Sequence, residues 1–544
     1  MFSYIRINFT EMPRLFFILL LILLTNQSIS QKNIDILHYR HQIGLSDKSD
    51  TIEGISTIRF RAITAADKIE LDLHSLNSEG KGMRVIEIVG RKDYMVKIGF
   101  NQYDNKIVIN KAINKGDTSE LTIIYHGIPA DGLIISKNKF GKKTFFSDNW
   151  PNRAHHWIPC VDDLADKATV EFLVTAPTHY QVVSNGIQIE ETNLPDNKKL
   201  THWKEDAPLP TKVMVIGVAD FAVNHAGMVD CIPVSSWVFP ENRTEGFGDY
   251  APAKDVLQWF INYIGPYAYK KLANVQSKTM FGGMENASAI FYYENSVNGK
   301  KSEEALIAHE IVHQWFGNSA TEKSFAHLWL SEGFATYLTH VYIESKYGTD
   351  SLQTRMKNER EEVLEYVKLN PGPVVDSTTD YMSLLNANSY QKGGWVLHML
   401  RRELGDSIFK KAVRKYYEQY AFKNADTDDL RKVVEAVSGR DLKQFFKQWL
   451  FTGENPKLAI EWKFDSKFNK VFITVKQLQP TPFRLSLPIK FEIAENFKHP
   501  SPILDISRKE ETFSIKLNPN SKLVNIIPDP NTLLLAEFSI KKIK

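Results

Sequence analysis

Cysteine is nearly missing from this chain: Cys160 and Cys231 are the only two in 544 residues. Two thiols cannot make a disulfide scaffold and their spacing does not say whether they pair, so the fold has to be held by packing. Long blocks of one charge are missing too. The 67 basic and 64 acidic residues are spread along the chain and leave a net charge of +3, which offers nothing to recruit nucleic acid. No apolar run is long enough to span a bilayer, because the most apolar stretch, Leu15 to Leu24, is too short for a hydrocarbon core of roughly 30 Å. Internal repeats and low-complexity segments are absent. With 43% hydrophobic and 24% charged residues the composition is that of an ordinary globular protein, which excludes a disordered chain and a multi-span membrane protein.

What is present begins with an N-terminal segment unlike the rest. Arg6 and Arg14 precede the apolar run, and Ser28-Ile29-Ser30 offers a small-x-small cleavage site. This is the pattern of a signal peptide over residues 1–30, with a mature chain starting near Gln31 and no stable membrane span after cleavage. Export to a periplasm, a cell surface or the medium is therefore expected. No cysteine follows the site, which excludes a lipoprotein anchor.

The remainder is too long for one core and reads as three domains, a multidomain α+β chain. Over residues 31–238 apolar residues alternate, as at Ile69, Leu71 and Leu73, which predicts a β-rich domain. Over 239–455 the spacing turns helical. Val256, Phe260, Tyr263 and Ile264 share one face, and further helices are predicted over 303–316, 332–347, 352–367, 389–404, 407–420, 428–437 and 441–450, with Thr427 as a cap and Gly439 as a stop. Alternation returns over 456–544, at Leu458, Ile460, Trp462, Phe464 and again at Leu485, Leu487, Ile489, Phe491, which predicts a small β-sandwich.

The chemistry sits in the helical region. His309-Glu310-Ile311-Val312-His313 lies in an apolar helical stretch, so its two imidazoles, four residues apart, face the same way and can share one ion. Zinc suits such donors because it accepts nitrogen and oxygen at about 2.0–2.2 Å. Glu310 is about 100° round the helix from His309, beside the ion but not on it, as a general base requires. The motif alone is only moderately specific. Glu332, in Leu330-Ser331-Glu332-Gly333-Phe334-Ala335, supplies a third ligand if the chain reverses at Gly317-Asn318. Two histidines and a carboxylate leave a fourth position for water, which is the catalytic arrangement.

Taken together, several ordered segments resemble the aminopeptidase N family of gluzincin metallopeptidases, one branch of which also hydrolyses an epoxide. Gly282-Gly283-Met284-Glu285-Asn286 is similar to that family's exopeptidase signature, His309 to His313 with Glu332 to its zinc site, and Tyr390-Gln391-Lys392-Gly393 to its catalytic tyrosine segment. Further likenesses are Trp157-Ile158-Pro159-Cys160 before Asp162-Asp163, Lys167-Ala168-Thr169, and Thr427-Asp428-Asp429-Leu430 leading to Phe445-Phe446-Lys447-Gln448-Trp449-Leu450. The resemblance implies a saddle-shaped N-terminal β domain, a thermolysin-like catalytic domain, one Zn2+ per chain and peptide substrates with a free N-terminus. It implies that Tyr390 stabilises the oxyanion, that Glu285 anchors the α-amine, and that the backbone at Gly282, Gly283 and Met284 lies along the peptide. Counting back from Pro159, it puts Asp148 where much of the family has a second amine-binding residue, usually glutamine. Phe325 and Ser331 replace the family's common tryptophan and asparagine and read as packing changes. A zinc endopeptidase, an epoxide hydrolase and an inactive exported peptide-binding protein are the competing readings. The chain ends at Lys544 after the sandwich, so the cleft is expected to be more open than in longer relatives.

Other candidates read as structural. His155-His156, as adjacent residues in a strand, point to opposite faces and cannot easily share one ion. His327, His340 and His398 read as helix residues or supports of the ligands. Phe291-Tyr292-Tyr293 reads equally as cleft lining or core.

Overall fold

The computed structural model describes residues 33–91, 95–494, 501–519 and 521–544, so the signal-peptide segment lies outside the described residues. Among the described residues no helix is long and apolar enough to cross a membrane.

The N-terminal region is built as its alternation predicts. Along the strand Ile52–Ala62, Ile52, Gly54, Ser56, Ile58, Phe60 and Ala62 are buried while the residues between them face outward. That strand pairs with Ile34–Gly44 inside an eight-stranded sheet, and two smaller sheets of four and three strands complete the region. No disulfide joins buried Cys160 to exposed Cys231, and packing carries the fold.

The division expected at residue 238 does not follow the sheets. The hairpin Ala222–Val229 with Ile232–Val238 runs on into a separate five-stranded sheet, in which Val234 pairs in parallel with Leu272 and Trp237 with Val275. The change of sheet therefore comes after the strand Ile216–Ala219. Alternation marks a strand but not its neighbours, which is why the sequence misplaced it.

Helices dominate the central region, with Ala253–Tyr263, Glu304–His313, Trp329–Tyr347, Thr349–Leu369, Asp406–Tyr420, Thr427–Ser438 and Lys443–Leu450 among them. The cap of Thr427–Ser438 is Asp426 rather than Thr427. Asp426 accepts from the Asp429 backbone N–H at 2.9 Å and the Asp429 carboxylate returns the bond at 3.0 Å, a reciprocal capping box, while Gly439 at φ 71° ends the helix. The hydroxyl of Thr427 instead accepts from the indole of Trp329, at 2.9 Å. The C-terminal residues form a sheet of four strands and one of three, with Trp462, Ile473, Val475, Leu487 and Ile489 between them.

The first two regions are joined by apolar packing and by buried charge. Phe146 packs edge-on against Phe291 at 5.5 Å. Lys167 sends its ammonium to the carbonyls of Asn318, Ser319 and Lys423 at 3.3, 2.8 and 3.0 Å. Lys212 pairs with Glu322 at 2.7 Å, with both side chains no more than 1% exposed. Removing one partner of such a pair leaves an uncompensated buried charge, at a cost of about 3–5 kcal/mol. Lys212→Met should therefore lower the urea midpoint well below that of the double substitution Lys212→Met/Glu322→Leu. Equal midpoints would show that the pair does not hold the two regions together.

Candidate metal centre

The helix Glu304–His313 ends where the second imidazole is needed, and the chain reverses through Gly317, at φ 113°, towards the helix Trp329–Tyr347. The reversal brings Glu332 to the histidines. His309 Nε2 and His313 Nε2 are 3.1 Å apart, and Glu332 Oε2 is 3.4 Å from the first and 3.3 Å from the second. Three donors about 2.05 Å from one tetrahedral ion would be separated by about 3.3 Å, so the triangle is already the size a small divalent cation requires. His309, His313 and Glu332 form one of the two metal-competent clusters among the described residues.

Charge makes the same demand. Glu285, Glu310 and Glu332 are each no more than 5% exposed around two imidazoles. Burial, with Glu285 and Glu332 behind it, pushes Glu310 up to about 8, although His313 pulls the other way. Burial opposes the imidazolium of His313, but the carboxylates of Glu332, Glu285 and Glu310 together outweigh it and raise that ring to about 10. The cluster is short of positive charge, which a bound cation supplies and which would draw Glu310 down again.

Each functional group is fixed by its neighbours. His313 Nδ1 lies 3.1 Å from the Phe316 carbonyl and 3.0 Å from the Ser331 hydroxyl, which leaves Nε2 for the ion. Ser331 is thus a support of a ligand, not the packing change its sequence suggested. Glu310 lies against the backbone of Gly283, where an added Cβ would sit 2.3 Å from Oε1, so a residue larger than glycine would displace the Glu310 carboxylate. Gly333 and Gly393 meet backbone to backbone, and a Cβ on Gly333 would lie 2.9 Å from the Gly393 Cα. This crossing brings Tyr390 to the site. Tyr390 sits in a π-helical turn, Asn388–Lys392, ahead of the helix Gly393–Leu404, where a continuous α-helix was expected. The wider turn places the phenol ring 6.0 Å from the His309 ring, nearly parallel, with its hydroxyl towards Glu332. Burial, then the carboxylates of Glu332, Glu285 and Glu310, hold the phenol proton on well above its usual range, so Tyr390 is a hydrogen-bond donor.

Glu285 is locked through its backbone, whose carbonyl accepts from Gln314 at 2.8 Å and Asn318 at 2.6 Å. Its carboxylate oxygen Oε1 is buried with no partner among the described residues. Burial raises its pKa, against the pull of His313 and Lys212. The site opens into a cavity of about 510 Å³ lined by Gly282, Gly283, Met284, Glu285, His309, Glu310, His313, Glu332 and Tyr390.

Asp148, expected from the sequence to bind an amine, is not among the residues lining the cavity. It is fully buried, paired with Arg153 at 2.8 Å through Oδ1, and holds the Thr279 hydroxyl at 2.9 Å and the Met280 N–H at 3.2 Å through Oδ2. Its acceptors are spent on the loop that leads to Gly282, so an ammonium group has no access to it. The sequence missed its neighbour Trp150, which lines the cavity, edge-on to Phe281 at 6.0 Å and to Phe325 at 5.8 Å. Between Trp150 and Pro159 the chain turns through the short 3-10 segment Ala154–His156, so sequence position alone does not give the direction of a side chain there. Phe291 and Tyr292 are core, and Tyr293 faces outward. His327, His340 and His398 bond Thr427, Glu359 and Tyr337.

Comparison with known proteins gives the family. Residues 250–449 match the peptidase family M1 domain and residues 36–213 the peptidase M1 N-terminal domain. The chain belongs to peptidase family M1. Its M1 relatives include "Aminopeptidase M1" of Arabidopsis thaliana, 29% identical over 55% of this chain and 36% of the relative. "Glutamyl aminopeptidase" of Bitis rhinoceros is 30% identical over 58% and 35% of the two chains, and "Probable aminopeptidase 1" of Sulfurisphaera tokodaii 25% over 88% and 60%. The chain thus spans between about a third and three-fifths of the length of these curated relatives.

The Ser331 contact gives a direct test. Loss of a group that orients a ligand histidine typically weakens metal binding about 10–100-fold. Because the Phe316 carbonyl remains, Ser331→Ala should fall near the lower end, read by competition with a chelator. Unchanged affinity would return Ser331 to a packing role.

Proposed function

We propose that this M1 chain is an exported zinc aminopeptidase that removes N-terminal residues from peptides. The observation that carries the reading is the buried, partnerless Oε1 of Glu285 in the same cavity as the His309, His313 and Glu332 triangle. A buried carboxylate oxygen without a partner is costly unless a cation meets it, and the α-ammonium of a peptide is such a cation. Export rests on the N-terminal segment of the sequence.

His309, His313 and Glu332 would hold the zinc, and their donor spacing fits it. Bound there, zinc would supply Lewis acidity that lowers the pKa of water towards about 7 and polarises a carbonyl. Glu285 holds the substrate amine at a fixed distance from the triangle, which selects the first peptide bond. Glu310, held against Gly283, takes the proton of the attacking water and passes it to the leaving amine. Tyr390 donates its hydroxyl to the oxyanion of the tetrahedral intermediate. Trp150, Phe281 and Leu385 make one wall of the cavity apolar, which favours uncharged first side chains.

Two measurements test this. Aminoacyl fluorogenic amides should be cleaved, with loss of turnover in a chelator and return with zinc, while N-acetylated counterparts should be poor substrates. Equal turnover of the acetylated compounds would favour an endopeptidase, and zinc binding with no turnover a binding protein. Tyr390→Phe should keep its zinc and lose about 10²–10³-fold in kcat, the usual effect of deleting an oxyanion donor. Near wild-type kcat in that variant would remove Tyr390 from the mechanism.

A further inference from the structure

His155 and His156 are not on a strand. They occupy the 3-10 segment Ala154–His156, in which successive side chains turn by about 120° rather than 180°. Both rings reach His74, which follows the strand Ile69–Asp72 of a different part of the N-terminal region. The His74 and His156 rings stack with centroids 4.5 Å apart, and the His155 and His156 rings are also 4.5 Å apart. One ring nitrogen from each residue comes within 4.8 Å of the others.

Three facts separate this cluster from accidental packing. First, Nδ1 of His74 and Nδ1 of His156 are buried with no hydrogen-bond partner. A buried ring nitrogen without a partner is costly, and an ion relieves both at once. Second, His155 Nδ1 is bonded to Asp162 Oδ2 at 2.8 Å, which leaves Nε2 as that ring's spare donor. This is the carboxylate–histidine pairing that orients metal ligands. Asp162 is itself fixed, since Oδ1 accepts from the Thr211 hydroxyl at 2.6 Å and Oδ2 also accepts from the His155 N–H at 3.2 Å. Third, the backbones that carry the rings are already tied, because the His74 N–H donates to the His155 carbonyl at 2.8 Å and the Asp72 and Cys160 backbones exchange bonds of 2.7 and 3.1 Å.

We propose that His74, His155 and His156 form a second metal site, which binds one divalent transition ion that prefers imidazole ligands, zinc or copper by class, and ties the strand Ile69–Asp72 to the segment before Trp157. Imidazole donors suit those ions and not calcium or magnesium. The donors lie within 4.8 Å of one another, wider than the roughly 3.3 Å of a filled tetrahedral site, so binding requires the rings to turn towards the ion. The carboxylate of Asp131 adds attraction for a cation. The site lies outside the cavity of the first and is independent of the peptidase reading.

The test uses the full chain with the first site removed. In His309→Ala/His313→Ala, Co2+ should bind at one equivalent and give the visible d–d absorption of nitrogen coordination, and saturating Zn2+ should raise the Tm. Adding His156→Gln or, separately, His74→Gln should abolish both signals. If the pair variant binds no Co2+, or binds it equally with and without the two glutamine substitutions, the proposal is overturned. Asp162→Asn, which keeps all three rings, should weaken Co2+ binding about 10–100-fold. An unchanged affinity there would refute the oriented site.

Discussion

Buried negative charge is the constraint on which the rest of the structure depends. Glu285, Glu310 and Glu332 lie in one pocket away from bulk water, faced by two imidazoles. In a low-dielectric site such a group of carboxylates can stay together only if cations enter or protons are taken up. Two cations answer it in the proposed enzyme, a metal at His309, His313 and Glu332 and the substrate's ammonium at Glu285. The same shortage of positive charge that makes the unliganded pocket unfavourable would thus drive both loading and substrate capture. Lys212, buried with Glu322 and near Glu285, moderates the field without filling either position.

Holding those charges in place takes much of the chain. The indole of Trp329, the first residue of the ligand helix, bonds Thr427 nearly a hundred residues later. Lys167 reaches from the N-terminal region to the carbonyls just past the motif helix. Asp148 and Arg153 secure the loop before Gly282. The segments that carried the family likeness far from the metal therefore act as clamps, and substitution there would act by moving Glu310, Glu332 or Glu285. The glycine contacts do the same at closer range. Gly283 leaves room for the Glu310 carboxylate, and Gly333 with Gly393 lets two helices approach until Tyr390 and Glu332 meet.

Much of this was legible in the sequence because it is local. The spacing of His309 and His313 is a property of one helix turn, and the alternation of Ile52–Ala62 a property of one strand. What was illegible depends on partners distant in sequence. The hairpin 222–238 alternates equally well for either sheet, and only pairing with Leu272–Ser277 assigns it. Asp148 looked like an amine anchor until Arg153, Thr279 and Met280 were seen to consume it. Ser331 stands next to Glu332, yet the sequence does not show that its hydroxyl turns back to His313. The π-helical turn at Tyr390 has no periodic signal, since one extra residue per turn is invisible over five positions.

The misreading of His155-His156 shows the same limit from the other side. Period-two reasoning was sound for a strand and failed because the local backbone is a 3-10 turn. His74, the ring that completes the cluster, lies some eighty residues earlier and carries no motif. A helical pair of histidines announces itself because both ligands and their spacing lie in one segment, whereas a site assembled across a sheet edge does not. The segment 148–162 connects the two places: its start holds the loop of Gly282 through Asp148, and its end holds the histidine cluster through Asp162. An ion on the histidines would therefore stiffen a segment whose other end holds the loop before Gly282. It would act by restricting motion, with no ligand shared between the sites.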